Sequence, residues 1–307
     1  MAIFFTLPPD SISYPYILIN ANNPMVGIRY IVSHRKSVEA VIIDSGIEIF
    51  RDPMVKDYPG GYLGCIRRQV LLYRKIRSLV PHAKIYVTPC DYCDDYNPRS
   101  LWLSDDFTNI ERTVVSVVTA VDFFPDVPWL IPIQGWYRKP SSLIICLEYY
   151  KQLGILNKYD YYAVANICTE QSSKITTRSI KNVYHYLRQL GINAKLHIFG
   201  LKIASLESVE RYIHSFDSTA WTRPVSSRLH SVFPWSAKSE EERVLFFCEY
   251  MLRLARHSVA LPMEVFRQCI DQLPRIKKAL VARYTNRARE IEKLLLEVAD
   301  DLRKIVY

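Results

Sequence analysis

Residues 40–46 read Ala-Val-Ile-Ile-Asp-Ser-Gly, so that four apolar residues stand directly before a carboxylate, a hydroxyl and a glycine. A short apolar run rich in β-branched residues that ends abruptly in polar or small residues is typical of a buried parallel strand. Five other clear runs and a shorter seventh share this pattern, at residues 16–19, 84–87, 129–133, 161–165, 195–199 and 214–217. The sequence therefore predicts a sheet of parallel strands.

Helical patterns lie between these runs. Apolar residues recur every three or four positions within residues 66–80, 110–121 and 180–190, as on the buried face of a helix. Strand and helix thus alternate across residues 16–214, which predicts an α/β protein, either an open doubly wound sheet or a closed barrel. No Gly-x-Gly-x-x-Gly follows a strand and no Walker A sequence occurs, so dinucleotide-binding and P-loop folds lose their main support.

Polar residues follow the predicted strands, at the end where (β/α)8 barrels build their active sites. They are Asp44, Asp91, Gln134, Asn166 and Asp217. We therefore predict a TIM-like (β/α)8 barrel over residues 1–238, with a weak eighth strand near residues 228–233. Apolar residues step by three or four across residues 276–305, which predicts that residues 239–307 form a helical C-terminal extension packed on the barrel, as one long helix or two.

Composition and charge narrow the class of protein. The chain has 307 residues, of which 49% are hydrophobic and 23% are charged, so it can bury a large core and is not a disordered chain. Lys and Arg outnumber Asp and Glu by 40 to 31, which gives a net charge of +9. This balance would attract a polyanion such as nucleic acid, but a basic enzyme without a nucleic-acid partner stays an alternative.

The cysteines and the chain start bear on location. Seven cysteines follow no regular framework, which favours a reduced, intracellular compartment without disulfides. Residues 1–14 lack the basic and apolar regions of a signal peptide, and no run of 18 apolar residues occurs. We therefore expect a soluble, cytoplasmic protein that does not bind a membrane.

Two of the carboxylates at strand ends suggest chemistry. Asp44 and Asp217 each follow an apolar run directly. One carboxylate as nucleophile and another as acid and base is the arrangement that breaks glycosidic bonds. Taken singly, each aspartate could equally be a helix N-cap or a residue that orders a loop. The pair together favours the catalytic reading.

Six short segments, in this order, resemble a known family, the tRNA-guanine transglycosylases and their DNA-modifying relatives that install 7-deazaguanine bases. They are Asp44-Ser45-Gly46-Ile47, Asp91-Tyr92-Cys93, Gln134-Gly135, Ala165-Asn166-Ile167, Phe199-Gly200, and Phe216-Asp217-Ser218 with Thr222-Arg223. The family carries Asp-Ser-Gly-Gly, Asp-Glu-Cys, Gln-Gly, Gly-Gly-Leu, a Met-Gly or Phe-Gly turn, and Phe-Asp-Cys or Phe-Asp-Ser followed by Thr-Arg at these places. The matches extend over residues 44–223.

The resemblance implies roles for these residues. Asp217 would be the nucleophile that attacks C1′ of a target guanosine, and Asp44 would handle the protons. Asp91 and Gln134 would read the edge of the base. The remaining substrate-binding positions would be Ser45, Gly46, Gly135, Asn166, Gly200 and Arg223, while Tyr92, Tyr96 or Trp136 could stack on the base. The co-substrate would be a 7-deazaguanine base, and no cofactor is expected.

Departures from the family pattern shape the choice of substrate. Members usually hold a structural zinc with three cysteines and a histidine after the nucleophile, but only Cys248 and Cys269 follow Asp217 here, so we expect no metal. Cys90-x-x-Cys93 has zinc-like spacing without an evident second pair. We also expect no appended RNA-binding domain of the kind that archaeal tRNA-modifying members carry. These departures favour exchange in DNA over exchange in tRNA, which stays the main alternative; a non-catalytic nucleic-acid-binding barrel is a second.

Two further groups of residues have competing interpretations. The basic residues of the terminal helical region could contact phosphates or form a solvated helix face; they are Arg275, Lys277, Lys278, Arg283, Arg287 and Arg289. If they do not contact phosphates, Arg138, Lys139, Arg223 and Arg228 are the next candidates. His197 and His214 are interpreted first as structural residues. An oligomer is possible, and the sequence leaves its size open.

Overall fold

The structure, a computed structural model, describes residues 1–52, 54–94, 108–168, 170 and 172–307. In these residues the chain forms an α/β fold whose strands alternate with helices between residues 16 and 217. The strands are β1 (Ala2–Phe5), β2 (Tyr16–Asn20), β3 (Ala40–Asp44), β4 (Lys84–Val87), β5 (Ile131–Ile133), β6 (Tyr161–Val164), β7 (Lys195–Ile198), β8 (Ser215–Asp217) and β9 (Val259–Ala260). The helices are α1 (Pro24–His34), α2 (Gly61–Leu79), α3 (Asn109–Phe123), α4 (Leu143–Gln152), α5 (Ser173–Gln189), α6 (Ile203–Val209), α7 (Ser227–Val232), α8 (Glu240–Leu254), α9 (Met263–Arg283) and α10 (Ala288–Val306).

The strands pair in parallel in two groups. One sheet has the order β5-β6-β7-β8-β1-β9 and the other the order β2-β3-β4. Within the first group β1 pairs with β8 along one side, Phe5 lying opposite Asp217, while Ala2 lies opposite Val259 of β9. Because all of these strands run the same way, the residues that follow them emerge at one end of the sheets.

Isolated parallel bridges connect the two groups of strands at both sides. Thr6, just after β1, bridges to Ile17 of β2, through backbone hydrogen bonds of 3.1 Å to Tyr16 and from Leu18. Val87 of β4 bridges to Trp129, ahead of β5, with backbone hydrogen bonds of 2.9 and 3.0 Å on either side. These bridges place the end of β1 beside β2, and the end of β4 beside the segment that leads into β5.

Both faces of the strands are buried, which explains the continuous apolar runs in the sequence. In β3, Val41 and Ile43 belong to the large hydrophobic cluster that also includes the helices, whereas Ala40 and Ile42 belong to a smaller cluster. Phe5 of β1 and Phe199, just after β7, join that smaller cluster. One apolar layer therefore lies between the strands themselves and another between strands and helices.

The seven predicted strands are confirmed, and the predicted eighth is wrong. Residues 228–233 lie in and just after α7, where Leu229 and Val232 are buried one helical turn apart. The hydroxyl of Ser226 accepts a hydrogen bond from the N–H of Leu229 and caps this helix. The strand that the sequence reading missed is β1, near the chain start.

The C-terminal helices pack on the same core. Tyr250 of α8 contacts Phe4 of β1 with ring centroids 5.4 Å apart, and Phe247 contacts Tyr14 at 6.1 Å. The apolar pattern of residues 276–305 becomes two helices, α9 and α10, in contact with each other. The division of the chain at residue 238 stays a prediction.

Cysteine pairing differs from the expectation. Cys65 of α2 is bonded to Cys90, and Cys248 of α8 to Cys269 of α9, so the prediction that disulfides are absent is wrong for these four residues. The cytoplasmic location had rested in part on that prediction and stays a prediction. Among the described residues, no helix is both long enough and apolar enough to cross a membrane.

Candidate active site

A cavity of about 650 Å³ opens at the carboxyl ends of the strands. Most of the predicted catalytic and base-reading positions that follow strands contribute to its wall. Those lining it are Asp44 at the end of β3, Asp91 beyond β4, Gly200 beyond β7, Asp217 of β8, and Arg223. The parallel arrangement of the strands brings these residues together although they are far apart in the chain.

Asp217 is held by two donors on one oxygen. Its Oδ1 accepts a hydrogen bond of 3.1 Å from the backbone N–H of Gly200 and lies 3.2 Å from Nε2 of His197. Gly200 has a φ of +65°, and a Cβ there would lie 3.0 Å from the backbone of Cys168, so the close approach favours glycine. The side chain of Asp217 therefore has a fixed position at the cavity wall.

Asp44 lies in an acidic, buried environment. Burial raises its pKa well above the usual aspartate range, and the charges of Glu48, Asp91 and Asp217 raise it further. No ion pair to Asp44 is present among the described residues. The cavity thus holds a carboxyl that favours its proton, close enough to Asp217 for the charge of Asp217 to act on it.

Asp91 has both oxygens engaged. The hydroxyl of Ser45 donates to Oδ1 and the amide Nε2 of Gln134 donates to Oδ2, each over 2.5 Å. Burial raises the pKa of Asp91 to about 6, against the opposing effect of these two hydrogen bonds. Three predicted substrate-binding residues therefore form one connected group.

Three of the predicted substrate-binding residues are buried outside the cavity wall: Gln134, Gly135 and Asn166. None of the three is in the cavity wall in the described part of the chain. Oε1 of Gln134 is buried and has no hydrogen-bond partner there. Gly135 packs closely, since a Cβ would lie 2.8 Å from the hydroxyl of Ser142, and the amide of Asn166 donates to the carbonyl of Trp136 over 2.9 Å. The Asn166 side chain therefore orders the loop after β5.

Gly46 is required by the loop after β3. Its φ is +81°, and a Cβ would lie 2.4 Å from Nδ2 of Asn22 and 2.5 Å from Oδ1 of Asn20. Nδ2 of Asn22 instead donates to the Gly46 carbonyl over 2.7 Å. These contacts fix the turn that follows Asp44, which lines the cavity, and Ser45, which is buried beside it.

Basic side chains also line the cavity: Arg51, Lys202 and Arg223. The ammonium of Lys202 donates to the carbonyl of Glu170, and burial lowers the pKa of Lys202. No ion pair to Arg223 is present in the described residues. Positive groups thus stand beside two catalytic carboxylate candidates, as the binding of a charged substrate would require.

The suggested stacking residues fall in different places. Tyr92 is buried, and its hydroxyl donates to Asp57 over 2.7 Å. Trp136 is half-buried beside a second cavity, with the ammonium of Lys139 5.3 Å from its ring centroid. Tyr96 lies outside the described residues. Of the two described residues, Trp136 is the more exposed.

His197, which the sequence led us to interpret first as a structural residue, lies against the candidate nucleophile Asp217. It is fully buried in β7, between Asp217 and the hydroxyl of Ser215. The only signal in the sequence was a titratable residue inside an apolar strand, two positions before the turn at Phe199-Gly200. A buried polar side chain needs hydrogen-bond partners, which makes such a position informative.

No cluster of three or more His, Cys, Asp or Glu side chains that could hold a metal ion occurs within the described ranges.

Comparison with the models of known protein families finds no match, and comparison with curated proteins finds no match either.

Proposed function

We propose that this protein is a guanine transglycosylase that exchanges guanine in DNA for a 7-deazaguanine base through a covalent aspartyl-glycosyl intermediate. One observation carries the proposal: Asp44 and Asp217 line the same cavity in different environments. The raised pKa of Asp44 suits a group that gives and takes a proton. Asp217, with donors on one oxygen, suits a fixed nucleophile.

The proposed reaction has two displacements. A carboxylate oxygen of Asp217 bonds to C1′ of the target nucleoside as the bond from C1′ to the base breaks, and the guanine leaves with the electron pair and a proton from Asp44. The incoming base then gives a proton to Asp44, attacks C1′ and releases Asp217. Two inversions retain the configuration at C1′.

The fold that we propose for this site is a closed (β/α)8 barrel formed by β1 to β8. The parallel bridges Thr6–Ile17 and Val87–Trp129 support closure, because they connect the two sheets at both sides. Active sites of such barrels lie at the carboxyl ends of the strands, where Asp44 and Asp217 are found. The barrel interpretation and the catalytic interpretation thus support each other.

DNA is the preferred polymer, and tRNA is the alternative. The preference rests on the resemblance described above, since this chain lacks the cysteines that hold the zinc of tRNA-modifying members. In either polymer the target base must leave its stack to reach the cavity. We propose that Arg223 and Lys202 contact the backbone of the polymer beside that base.

A non-catalytic nucleic-acid-binding barrel is the second alternative. It is disfavoured because a buried carboxyl whose pKa is raised by three neighbouring acids has no evident structural benefit. Clustering of such acids at a cavity is instead common at catalytic sites. The carboxyl group of Asp44 is of this kind, and the pKa of Asp91 is also raised, by burial and by the charge of Glu48.

Base exchange can be tested directly. Purified protein is incubated with isotope-labelled guanine and with duplex DNA, single-stranded DNA or tRNA, and nucleosides from each polymer are analysed by mass spectrometry. Label in deoxyguanosine supports the proposal, whereas label in guanosine of tRNA supports the alternative. Nucleosides from cells with and without the protein identify the inserted base. Absence of exchange in every polymer, with polymer binding retained, would favour the non-catalytic barrel.

A further inference from the structure

A chain of three buried polar side chains leads to Asp217 from inside the fold. The hydroxyls of Tyr161 and Ser215 are 2.5 Å apart, and Oγ of Ser215 lies 2.7 Å from Nδ1 of His197. Nε2 of His197 lies 3.2 Å from Oδ1 of Asp217. Tyr161, Ser215 and His197 come from the adjacent strands β6, β8 and β7, and all three are buried.

The direction of these hydrogen bonds follows from counting donors and acceptors. The hydroxyl of Tyr161 has no other hydrogen-bond partner in the described residues. Its O–H therefore donates to Oγ of Ser215, since no other acceptor is in reach. Ser215 then donates to Nδ1 of His197, which must accept. In the opposite direction the Tyr161 hydroxyl would be a buried donor without an acceptor, which costs about 1–3 kcal/mol.

We infer that His197 is a positioning residue, held as a neutral imidazole with its proton on Nε2, and that it selects the attacking oxygen of Asp217. The Nε2–H and the Gly200 N–H both donate to Oδ1. Oδ2 of Asp217 has no hydrogen-bond partner among the described residues. Oδ2 is therefore the oxygen free to bond to C1′, while Oδ1 anchors the carboxylate.

The effect on the reaction rests on the proposed function, but the protonation of His197 does not. Fixing one oxygen and freeing the other holds the nucleophile in a single orientation, and loss of orientation in an active site can cost about 100-fold in rate. The hydroxyl of Ser215 acts only through His197, because it reaches Nδ1 and not Asp217. Removing it therefore tests orientation without touching the nucleophile.

The first measurement uses the protein without substrate. The protein is labelled with ¹⁵N-histidine, and the ring-nitrogen signals of His197 are assigned by their loss in His197→Gln. We expect a protonated Nε2 and an unprotonated Nδ1 at neutral pH. Protonation of Nδ1, or of both nitrogens, would overturn the inference whether or not the protein is an enzyme.

The second measurement is kinetic and uses a matched control. Ser215→Ala should lower kcat by about 10- to 100-fold and leave KM for the polymer unchanged. Tyr162→Phe is the control, because this neighbouring buried hydroxyl donates to the carbonyls of Leu156 and Tyr159 and does not reach Asp217. It should leave kcat and KM unchanged. An equal loss of kcat in both variants, or no loss in Ser215→Ala, would reject the positioning role. An inactive wild-type protein with the expected His197 protonation would instead count against the proposed function.

Discussion

Ser45 and Asp91, which are 46 residues apart in the chain, are joined by a 2.5 Å hydrogen bond from Oγ to Oδ1. The contact links the loop after β3 to the segment after β4 beneath the cavity. Gln134 occupies the other oxygen of Asp91. The carboxyl of Asp91 is thereby a structural junction as well as a candidate for reading the base, and its protonation should affect the stability of the fold.

Because the pKa of Asp91 is raised in the folded protein, the free energy of unfolding should fall as the pH rises and Asp91 loses its proton. Its pKa is raised by burial to about 6 in the fold, so its favourable contribution is complete below the unfolded pKa near 4 and is lost as pH rises through about 6. We expect the free energy of unfolding of the wild type to fall by about 3 kcal/mol relative to Asp91→Asn across this window. Urea unfolding at several pH values measures it.

The control for this comparison is Asp160→Asn. Asp160 is exposed and pairs with Lys195 at 2.9 Å, far less buried than Asp91. An exposed ion pair contributes little to stability, so replacing Asp160 should change the free energy of unfolding much less than replacing Asp91. If the difference in the free energy of unfolding between wild type and Asp91→Asn did not change with pH, the raised pKa of Asp91 would be contradicted.

Asp217→Asn should abolish base exchange with the fold and polymer binding retained. Asp44→Asn should lower the rate by about 10²- to 10⁴-fold, because it removes acid and base catalysis. Since the pKa of Asp44 is raised, the wild-type rate should fall on the alkaline side as Asp44 loses its proton, and Asp44→Asn should lack that limb. Full activity of Asp217→Asn would remove the covalent mechanism; Asp160→Asn again serves as the control for both.

Gly46→Ala should damage both stability and activity. Its φ of +81° is unfavourable for alanine by about 1–2 kcal/mol, and the new methyl group would overlap Asn20 and Asn22. Gly191→Ala is the matched control, with a φ of +75° and nothing within 4 Å of a Cβ. Unfolding and exchange assays should show a larger loss of stability for Gly46→Ala and a loss of activity in it alone. Equal effects in both variants would contradict this prediction, because they would mean that the side chains of Asn20 and Asn22 move aside without cost to accommodate the methyl group.

Polymer binding should weaken with salt through the basic residues at the cavity. In the terminal helices Lys277 pairs with Glu292 at 3.0 Å, and Arg283 lies 3.8 Å from Glu241, so these cations already have partners. Removing Arg223 and Lys202 together should flatten the slope of log affinity against log salt by about two for duplex DNA, at roughly 0.9 per phosphate contact.

The same salt titration on the double variant Lys277→Ala, Arg283→Ala distinguishes the two surfaces. We expect its slope to match the wild type. A slope that flattens in this variant and not in the cavity variant would move the phosphate contacts to the terminal helices, the first of the two surfaces that the sequence suggested.

Much of the fold was readable from the sequence because its strands are buried on both faces. An apolar run such as residues 40–43, followed by Asp44, leaves little choice of structure. The short β1 was harder to recognise, since it lies near the chain start and lacks a helix before β2. Residues 228–233 looked like a strand because the helix to which they belong, α7, has only six residues. A helix this short shows too few apolar repeats to reveal the helical period.

The site was predictable where a side chain follows a strand and less so where it lies within one. Asp44 and Asp217 are the last residues of β3 and β8, Asp91 lies in the segment after β4, and the structure brings all three to one cavity. His197 was not recognised, because its role depends on Ser215 and Tyr161 in neighbouring strands, and pairing of side chains across strands is not visible in one sequence. The cysteine pairs were missed for the same reason, since their separations of 25 and 21 residues follow no motif.

The position of β1 has a consequence for how the protein is made. β1 is synthesised well before its partners on either side, β8 and β9, which follow much later in the sequence. Thr6 and Ser218, which are in contact, are 212 residues apart. Until those partners are synthesised, the edges of β1 lack them and offer unpaired backbone groups to other chains. We therefore expect the sheet to be completed only after β9 has been synthesised, and slow elongation between residues 217 and 259 to favour aggregation of the nascent chain over folding.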